Sequence, residues 1–208
     1  MKFDLNAVNR SRLDQFEQLF VLLLYGWLVL RVLPDAVESG GLLAIILLLL
    51  SEGAVVILLL FRRPTADISV KIQDWIIAAA GTWLPLMVIK GGEPILGSLG
   101  PLLMALGLVT QVAAKLTLLR SFGLVAANRG VKSNGMYAFV RHPMYAGYIL
   151  THIGYLLASP SLWNVGVYVA VWAFLIARMV AEENILGADP EYREYTQRVR
   201  HRIVPGIF

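Results

Sequence analysis

The chain has 208 residues, of which 58% are apolar and 15% are charged, whereas a typical soluble domain is about 25% charged. With a mean hydropathy of +0.68, this composition excludes an ordinary soluble domain and predicts an integral membrane protein. The lack of cysteine excludes disulfides, thiolate metal sites and a cysteine nucleophile. The net charge is +4, and the basic residues lie beside apolar segments. Basic stretches interleaved with aromatic residues are lacking in the sequence. We therefore expect the basic residues to bind anionic lipid headgroups, and we expect no nucleic-acid partner.

Six apolar segments follow one another along the chain, and each is predicted to be a helix because lipid offers backbone polar groups no other partner. The third and fifth are short for a hydrocarbon core about 30 Å thick. We therefore expect an all-α, polytopic membrane helix bundle of five to six transmembrane segments. The segments are Phe16–Leu33, Leu42–Phe61, Trp75–Ile89, Pro101–Leu119, Met144–Ala158 and Leu162–Val180.

The cations are distributed unevenly over the connections between these segments. Of the 18 Lys and Arg residues, only Arg31 and Lys90 fall on the side opposite the termini, so the positive-inside rule predicts that both termini are cytoplasmic. Residues 1–18 mix acids and bases, unlike the start of a cleavable signal, and we expect the first segment to remain in the mature protein. We expect residues 1–119 to form four amino-terminal spans and residues 120–208 to carry the polar motifs.

Two motifs lie between the fourth and fifth segments. Asn134–Gly135 is a turn signal. His142–Pro143 places proline in the first turn of a helix, where free backbone N–H groups form an anion site suited to a carboxylate or phosphate. The alternative is that this motif only starts a helix and that Tyr137 and Tyr145 are interfacial aromatics.

Arg178 and Glu182 are four residues apart near the end of the last apolar segment. They share one helical face, while Glu183 points elsewhere, so their heads can pair or converge on a common ligand. The alternative is a surface ion pair of little energetic value. Charges that end a long apolar helix, however, tend to line a polar pocket.

Two further polar residues lie inside apolar segments. Glu52 must be protonated, paired or facing a cavity, and the sequence indicates no partner for it. His152 is expected to be structural, because no second metal ligand lies three or four residues further on. The tail from Pro190 is predicted to be a short basic helix that either binds headgroups or covers the site.

The carboxyl-terminal part of the chain carries three elements in order around the predicted hairpin. These are SNGMY (133–137) followed by RHPMY (141–145), then Arg178-xxx-Glu182-Glu183, and then EYxxYxxRVxxRxxP (191–205). In this arrangement the chain resembles the isoprenylcysteine carboxyl methyltransferase family, part of a wider group of integral-membrane methyltransferases that includes phospholipid N-methyltransferases. The resemblance covers roughly residues 120–205.

The resemblance implies that S-adenosylmethionine binds on the cytoplasmic side, in a cleft formed by the R-H-P connector, a C-terminal helical hairpin and the basic tail. Glu182 is similar to the family's cofactor-binding acid and Arg178 to its substrate-facing arginine, and both are the expected catalytic residues. No metal is expected. The other expected cofactor contacts are Val131, Lys132, Tyr137, His142, Pro143, Met144 and Tyr145.

The residue types also suit this cofactor on chemical grounds. Its carboxylate suits a helix N-terminus, its ammonium or ribose hydroxyls suit an acid such as Glu182, and its sulfonium suits the faces of Tyr137 or Tyr145. A carboxylate nucleophile is already ionised at neutral pH and needs only a cation such as Arg178 to orient it. An amine or thiol would need a base, for which the neighbouring acids are candidates.

The expected function is methyl transfer to a lipid-like or isoprenoid-linked amphiphile that enters from the bilayer, with carboxylate O-methylation as the expected reaction. One alternative is a phospholipid or other amine N-methyltransferase. Others are an NADPH-dependent sterol-type membrane reductase, because such enzymes are also compact and polytopic, and a non-enzymatic lipid-binding protein. The sequence does not determine the methyl acceptor or the oligomeric state.

Overall fold

The structure is a computed structural model that describes residues 5–38 and 53–206. Within these ranges the chain is helical apart from its connections and one isolated β-bridge between Ile68 and Ala127. The predicted all-α class is therefore confirmed for the part of the chain described. The helices are α1 (Leu5–Glu38), α2 (described over residues 53–60), α3 (Ile72–Trp83), α4 (Leu99–Leu118), α5 (Pro143–Ala158), α6 (Leu162–Leu186) and α7 (Pro190–Arg198).

The helices α1 and α3 to α6 lie where the apolar segments predicted them, with differences at their ends, and residues 42–52 of the second segment lie outside the described residues. The third segment is not one α-helix, because α3 ends at Trp83 and continues as a 3₁₀ turn, Leu84–Met87. Pro85 explains the break, since proline lacks an N–H and its ring clashes with the carbonyl four residues earlier. The last helix continues beyond its apolar segment to Leu186. Glu52 lies outside the described residues.

Two helical stretches of the described chain, Leu99–Ser121 and Leu162–Leu186, are long and apolar enough to cross a membrane. On α4, one face exposes large apolar side chains that none of the described residues covers, as expected of a surface against lipid. With the composition, these features support the prediction of an integral membrane protein. The number of spans and the orientation of the termini stay predictions. The exposed side chains on α4 are Leu102, Leu106, Val109 and Leu116.

Glycines allow the backbones of α4 and α5 to approach closely. A Cβ added to Gly154 would lie 2.6 Å from the carbonyl oxygen of Gly100, and one added to Gly147 would lie 2.7 Å from that of Gly107. Because the sequence order of the two contacts is reversed between the helices, α4 and α5 are antiparallel. Small residues are typical of such close helix contacts in membranes.

The hairpin between α5 and α6 turns at residues 159–161. Asn164, which is fully buried, ties this turn to the end of the 3₁₀ stretch. Its Nδ2 donates to the carbonyl oxygens of Ile89 (2.9 Å) and Ser159 (3.0 Å), and its Oδ1 accepts from the N–H of Ile89 (3.0 Å). This clasp fixes one end of the hairpin, and the polar motifs lie at the other end.

We predict that Gly154→Ala destabilises the protein by about 1–3 kcal/mol, because the new methyl group would overlap the backbone of α4. Gly166→Ala is the matched control, since a Cβ at Gly166 meets nothing within 4 Å and alanine favours a helix by about 1 kcal/mol over glycine. Thermal unfolding in detergent, followed by circular dichroism, measures both. Equal melting temperatures for the two variants would contradict the close packing of α4 on α5.

Candidate active site

A polar cavity lies where α4 and α6 end and α5 begins. The structure brings nearly all predicted site residues to its lining, although they come from three separate parts of the sequence. Pro143 does not line the cavity; it is buried as the first residue of α5. The predicted residues that line the cavity are Val131, Lys132, Tyr137, His142, Met144, Tyr145, Arg178 and Glu182.

The connection before α5 folds as its turn motifs predicted. Gly135 has a φ of +54°, a conformation that glycine adopts without strain, and it opens a 3₁₀ turn, Gly135–Ala138, that carries Tyr137. His142 is the N-cap of α5 and Pro143 is its first residue, as suits a residue without an N–H. The start of α5 therefore faces the cavity.

Glu182 is the centre of a hydrogen-bond network in this cavity. One of its oxygens, Oε1, accepts from the hydroxyl of Tyr145 (2.5 Å) and from Nε of Arg178 (3.2 Å). The other, Oε2, lies 3.8 Å from Nδ1 of His142. Arg178 is buried and its guanidinium lies 5.7 Å from the ring centroid of Tyr145. The Arg178–Glu182 pair is therefore not a surface ion pair.

Glu183, which we expected to point away, contacts the same histidine from its other side. Its Oε1 accepts from Nε2 of His142 (3.0 Å) and lies 3.4 Å from Nη2 of Arg141. Its Oε2 accepts from Nη2 (2.8 Å) and Nε (3.0 Å) of Arg202, and this bond raises the pKa of Arg202. His142 thus links the two adjacent acids, and Glu183 anchors the tail.

The tail forms one wall of the cavity. Tyr192 and Tyr195 on α7 are buried and line it, and the hydroxyl of Tyr195 donates to the carbonyl oxygen of Tyr137 (2.7 Å). Burial raises the pKa of all three phenols, so they are neutral at physiological pH. These contacts agree with the alternative in which the tail covers the site. Binding of headgroups by its exposed face stays a prediction.

The lining of this cavity fits S-adenosylmethionine. Nε of Arg129, Nε of Arg141 and the hydroxyl of Tyr192 are buried and have no hydrogen-bond acceptor among the described residues, although a buried polar atom normally has a partner. They are donors that suit a carboxylate or hydroxyl ligand. Glu182 supplies an acceptor for an ammonium group, and the ring of Tyr145 suits a sulfonium.

A second, mostly apolar cavity of about 330 Å³ adjoins the first. Arg178 lines both cavities. Among the described residues that line the second, the charged ones are Lys115 and Arg178, and none is acidic. His152 also lines it. Its Nδ1 accepts from Nε1 of Trp172 (3.2 Å) and its ring stacks on Tyr168 at 4.4 Å, as expected for a structural histidine.

Sequence reasoning missed several lining residues. Lys115 could have been noticed, because a lysine inside an apolar segment is costly and usually lines a pocket. Arg141, Tyr192 and Tyr195 stand in the motifs that carry the resemblance, but the sequence did not predict that they line the cavity, since their positions depend on how the tail folds back. The backbone N–H groups of Arg141 and His142 donate to the tail carbonyls of residues 201 and 202 at 2.9 and 2.7 Å.

Comparisons with known proteins find similarity to methyltransferases. Residues 96–188 match the family model described as phospholipid methyltransferase. The chain is 31% identical over 109 residues to protein-S-isoprenylcysteine O-methyltransferase A of Arabidopsis thaliana, covering 48% of this chain and 55% of that protein. The chain thus spans about half the length of this curated relative. Among solved structures, it is similar to the eukaryotic intramembrane Ras methyltransferase, an isoprenylcysteine carboxyl methyltransferase, with 18% identity, a TM-score of 0.49 and 99% of each chain covered.

The matched region contains α4, α5 and α6, including the His142–Pro143 helix start and the Glu182–Glu183 pair. The family model and the curated relative are both described as methyltransferases. Within that class, the predicted resemblance to the isoprenylcysteine carboxyl methyltransferase family and its phospholipid methyltransferase relatives is confirmed.

We predict that Glu183→Gln loosens the tail, because it removes the charge that holds Arg202 and Arg141. Limited trypsin digestion in detergent should cleave the tail at its arginines about tenfold faster than in the wild type. Glu194→Gln makes the same chemical change at an exposed position on α7 and should leave the rate unchanged. An unaltered rate in Glu183→Gln would mean that this acid does not anchor the tail.

Proposed function

We propose that the protein is an integral-membrane, S-adenosylmethionine-dependent methyltransferase that methylates a carboxylate on a lipid-like or isoprenoid-linked substrate. The observation that carries this proposal is the position of Arg178, which borders both the polar cavity and the apolar cavity. A cofactor in the first and an amphiphile in the second would meet at this guanidinium.

The polar cavity supplies the groups that would hold the cofactor. Glu182 would accept from its ammonium or ribose hydroxyls, and the unpaired donors of Arg129, Arg141 and Tyr192 would bind its carboxylate and other acceptors. When bound, S-adenosylmethionine supplies a methyl group on a positively charged sulfur, which is a good leaving group. The tail wall would exclude water from this reacting centre.

The apolar cavity favours an anionic headgroup. A lipid chain would bury against its apolar lining, and a carboxylate would face the cations of Lys115 and Arg178. In a low-dielectric site, opposite charges attract and like charges repel much more strongly than in water. A protonated amine would therefore be disfavoured in the same place, which supports O-methylation over N-methylation.

The reaction requires positioning more than proton transfer. A substrate carboxylate held by Arg178 would accept the methyl group that bound S-adenosylmethionine would supply, giving a methyl ester while the sulfur would leave as a neutral thioether. No proton moves, so no base is needed. Arg178 orients the carboxylate, while Glu182 and Tyr145 hold Arg178 in place, and such orientation accounts for a large share of the rate in displacement reactions.

N-methylation of a phospholipid is the second candidate, because the matching family model is described as phospholipid methyltransferase. A protonated amine would need a base, and the acid nearest the junction, Glu182, already accepts from Tyr145 and Arg178. Incubating membranes with methyl-labelled S-adenosylmethionine and identifying the labelled product by mass spectrometry separates the candidates. A labelled ester supports our proposal, and labelled mono-, di- and trimethylated amines would refute it.

We predict that Glu182→Gln weakens S-adenosylmethionine binding by about 10- to 100-fold, because a charge-assisted hydrogen bond is worth roughly 1.5–3 kcal/mol. Isothermal titration calorimetry in detergent measures the dissociation constant. Glu93→Gln, at an exposed position in the connection before α4, is the control and should bind like the wild type. Wild-type affinity in Glu182→Gln would remove this residue from the cofactor site.

We predict that Lys115→Met lowers kcat/KM for a prenylated carboxylate substrate by at least about tenfold, because a buried cation facing the headgroup is lost, while S-adenosylmethionine affinity stays unchanged. Methionine keeps the length of the side chain. Lys90→Met, at an exposed position near the opposite end of the hairpin, serves as the control. A variant that methylates the carboxylate as fast as the wild type would contradict a role for Lys115 in binding the headgroup.

A further inference from the structure

Four buried charges join the first helix to the connections after α2 and α4. Asp14 and Glu17 on α1 are each 1% exposed, and their partners Arg62 and Arg129 are 4% and 5% exposed. Asp14 lies 3.0 Å from Arg62 and 2.6 Å from Arg129, while Glu17 lies 3.3 Å from Arg129 and also pairs with Arg62. Two acids balance two bases, so the cluster carries no net charge.

Glu17 has a second role, because it binds backbone as well as side chains. Its Oε1 accepts from the N–H groups of Leu124 (2.6 Å) and Val125 (3.1 Å). These amides belong to the stretch from Gly123 to Lys132, here called the connector segment. An acid of the first helix thus holds a segment more than 100 residues further along the chain.

The connector segment borders both cavities. Gly123, Arg129, Val131 and Lys132 line the polar cavity, and Leu124 lines the apolar one.

Within this segment, the carbonyl oxygen of Gly123 accepts from Nη2 of Arg178 (3.3 Å). The guanidinium of Arg129 packs over the same glycine, where an added Cβ would lie 2.7 Å from its Cζ. The backbone held by Glu17 is therefore the backbone that contacts Arg178.

We propose that Asp14 and Glu17 are positioning residues for methyl transfer, which hold the connector segment so that Arg129 borders the cofactor and the Gly123 carbonyl orients Arg178. This inference rests on the proposed function. A buried ion cluster adds little net stability over a well-packed apolar replacement, so stability alone gives weak reason for four charges here. Removing one acid leaves a buried cation unbalanced, and the connector segment would shift to solvate it.

The test combines hydrogen exchange with cofactor binding in the full-length protein in detergent. In Glu17→Gln, the amides of Leu124 and Val125 should exchange at least about tenfold faster, and the dissociation constant for S-adenosylmethionine should rise about tenfold at a binding stoichiometry close to that of the wild type. Gln15→Glu changes the charge at an exposed position in the same turn and should alter neither measurement.

A merely structural role predicts something different, namely a lower stoichiometry of binding-competent protein with an unchanged dissociation constant. That result, or unaltered exchange of the connector amides, would overturn the proposal. If the wild type binds no S-adenosylmethionine, the proposed function fails, and with it the role of these acids in methyl transfer; the exchange measurement then still decides whether Glu17 holds the connector segment.

Glu17→Asp keeps the charge balance in case Glu17→Gln does not fold. Aspartate is one methylene shorter, so it should retain an ion pair but lose its reach to the amides of Leu124 and Val125. Faster exchange at these two amides with weaker cofactor binding would support the proposal, and wild-type values for both would overturn it.

Discussion

A charge that is buried beside hydrocarbon must be neutralised where it lies, and this constraint determines how the functional end of the molecule is assembled. Glu182 neutralises Arg178 within α6, whereas Glu183 reaches Arg202 in the tail. The acids of α1 reach Arg129 in the connector segment. Because most of these partners come from different elements, satisfying each charge also fixes the relative position of two parts of the chain.

The packing of the apolar helices determines where these charged residues lie. Close contact along the glycines of α4 and α5 sets where α5 begins, and the Asn164 clasp fixes the other end of the hairpin. Both sets of contacts involve the backbone, either through close approach of two helices or through hydrogen bonds, so the helices have little freedom to shift relative to each other. A rigid hairpin of this kind can hold His142 and Glu182 within reach of one ligand, as a reaction governed by orientation requires.

Much of this arrangement could be predicted from the sequence, because the signals are local. Hydropathy located the helices, and proline located the start of α5. Spacing put Arg178 and Glu182 on one face. The pairing of Asp14 and Glu17 with Arg62 and Arg129 could not be predicted, since nothing local specifies a contact across 45 to 115 residues. The contacts of Glu17 also cross the predicted boundary between residues 119 and 120, and that division stays a prediction.

Glu182 both pairs with Arg178 and lines the polar cavity, so binding of a ligand there would affect binding in the apolar cavity. A ligand cation that draws Glu182 towards itself leaves Arg178 less neutralised, and the apolar cavity then attracts an anion more strongly. By linkage, the anion would strengthen retention of the first ligand to the same degree. Cofactor and acceptor would therefore bind cooperatively, and the methyl ester product, which carries no charge at the former carboxylate, would lose that attraction and dissociate.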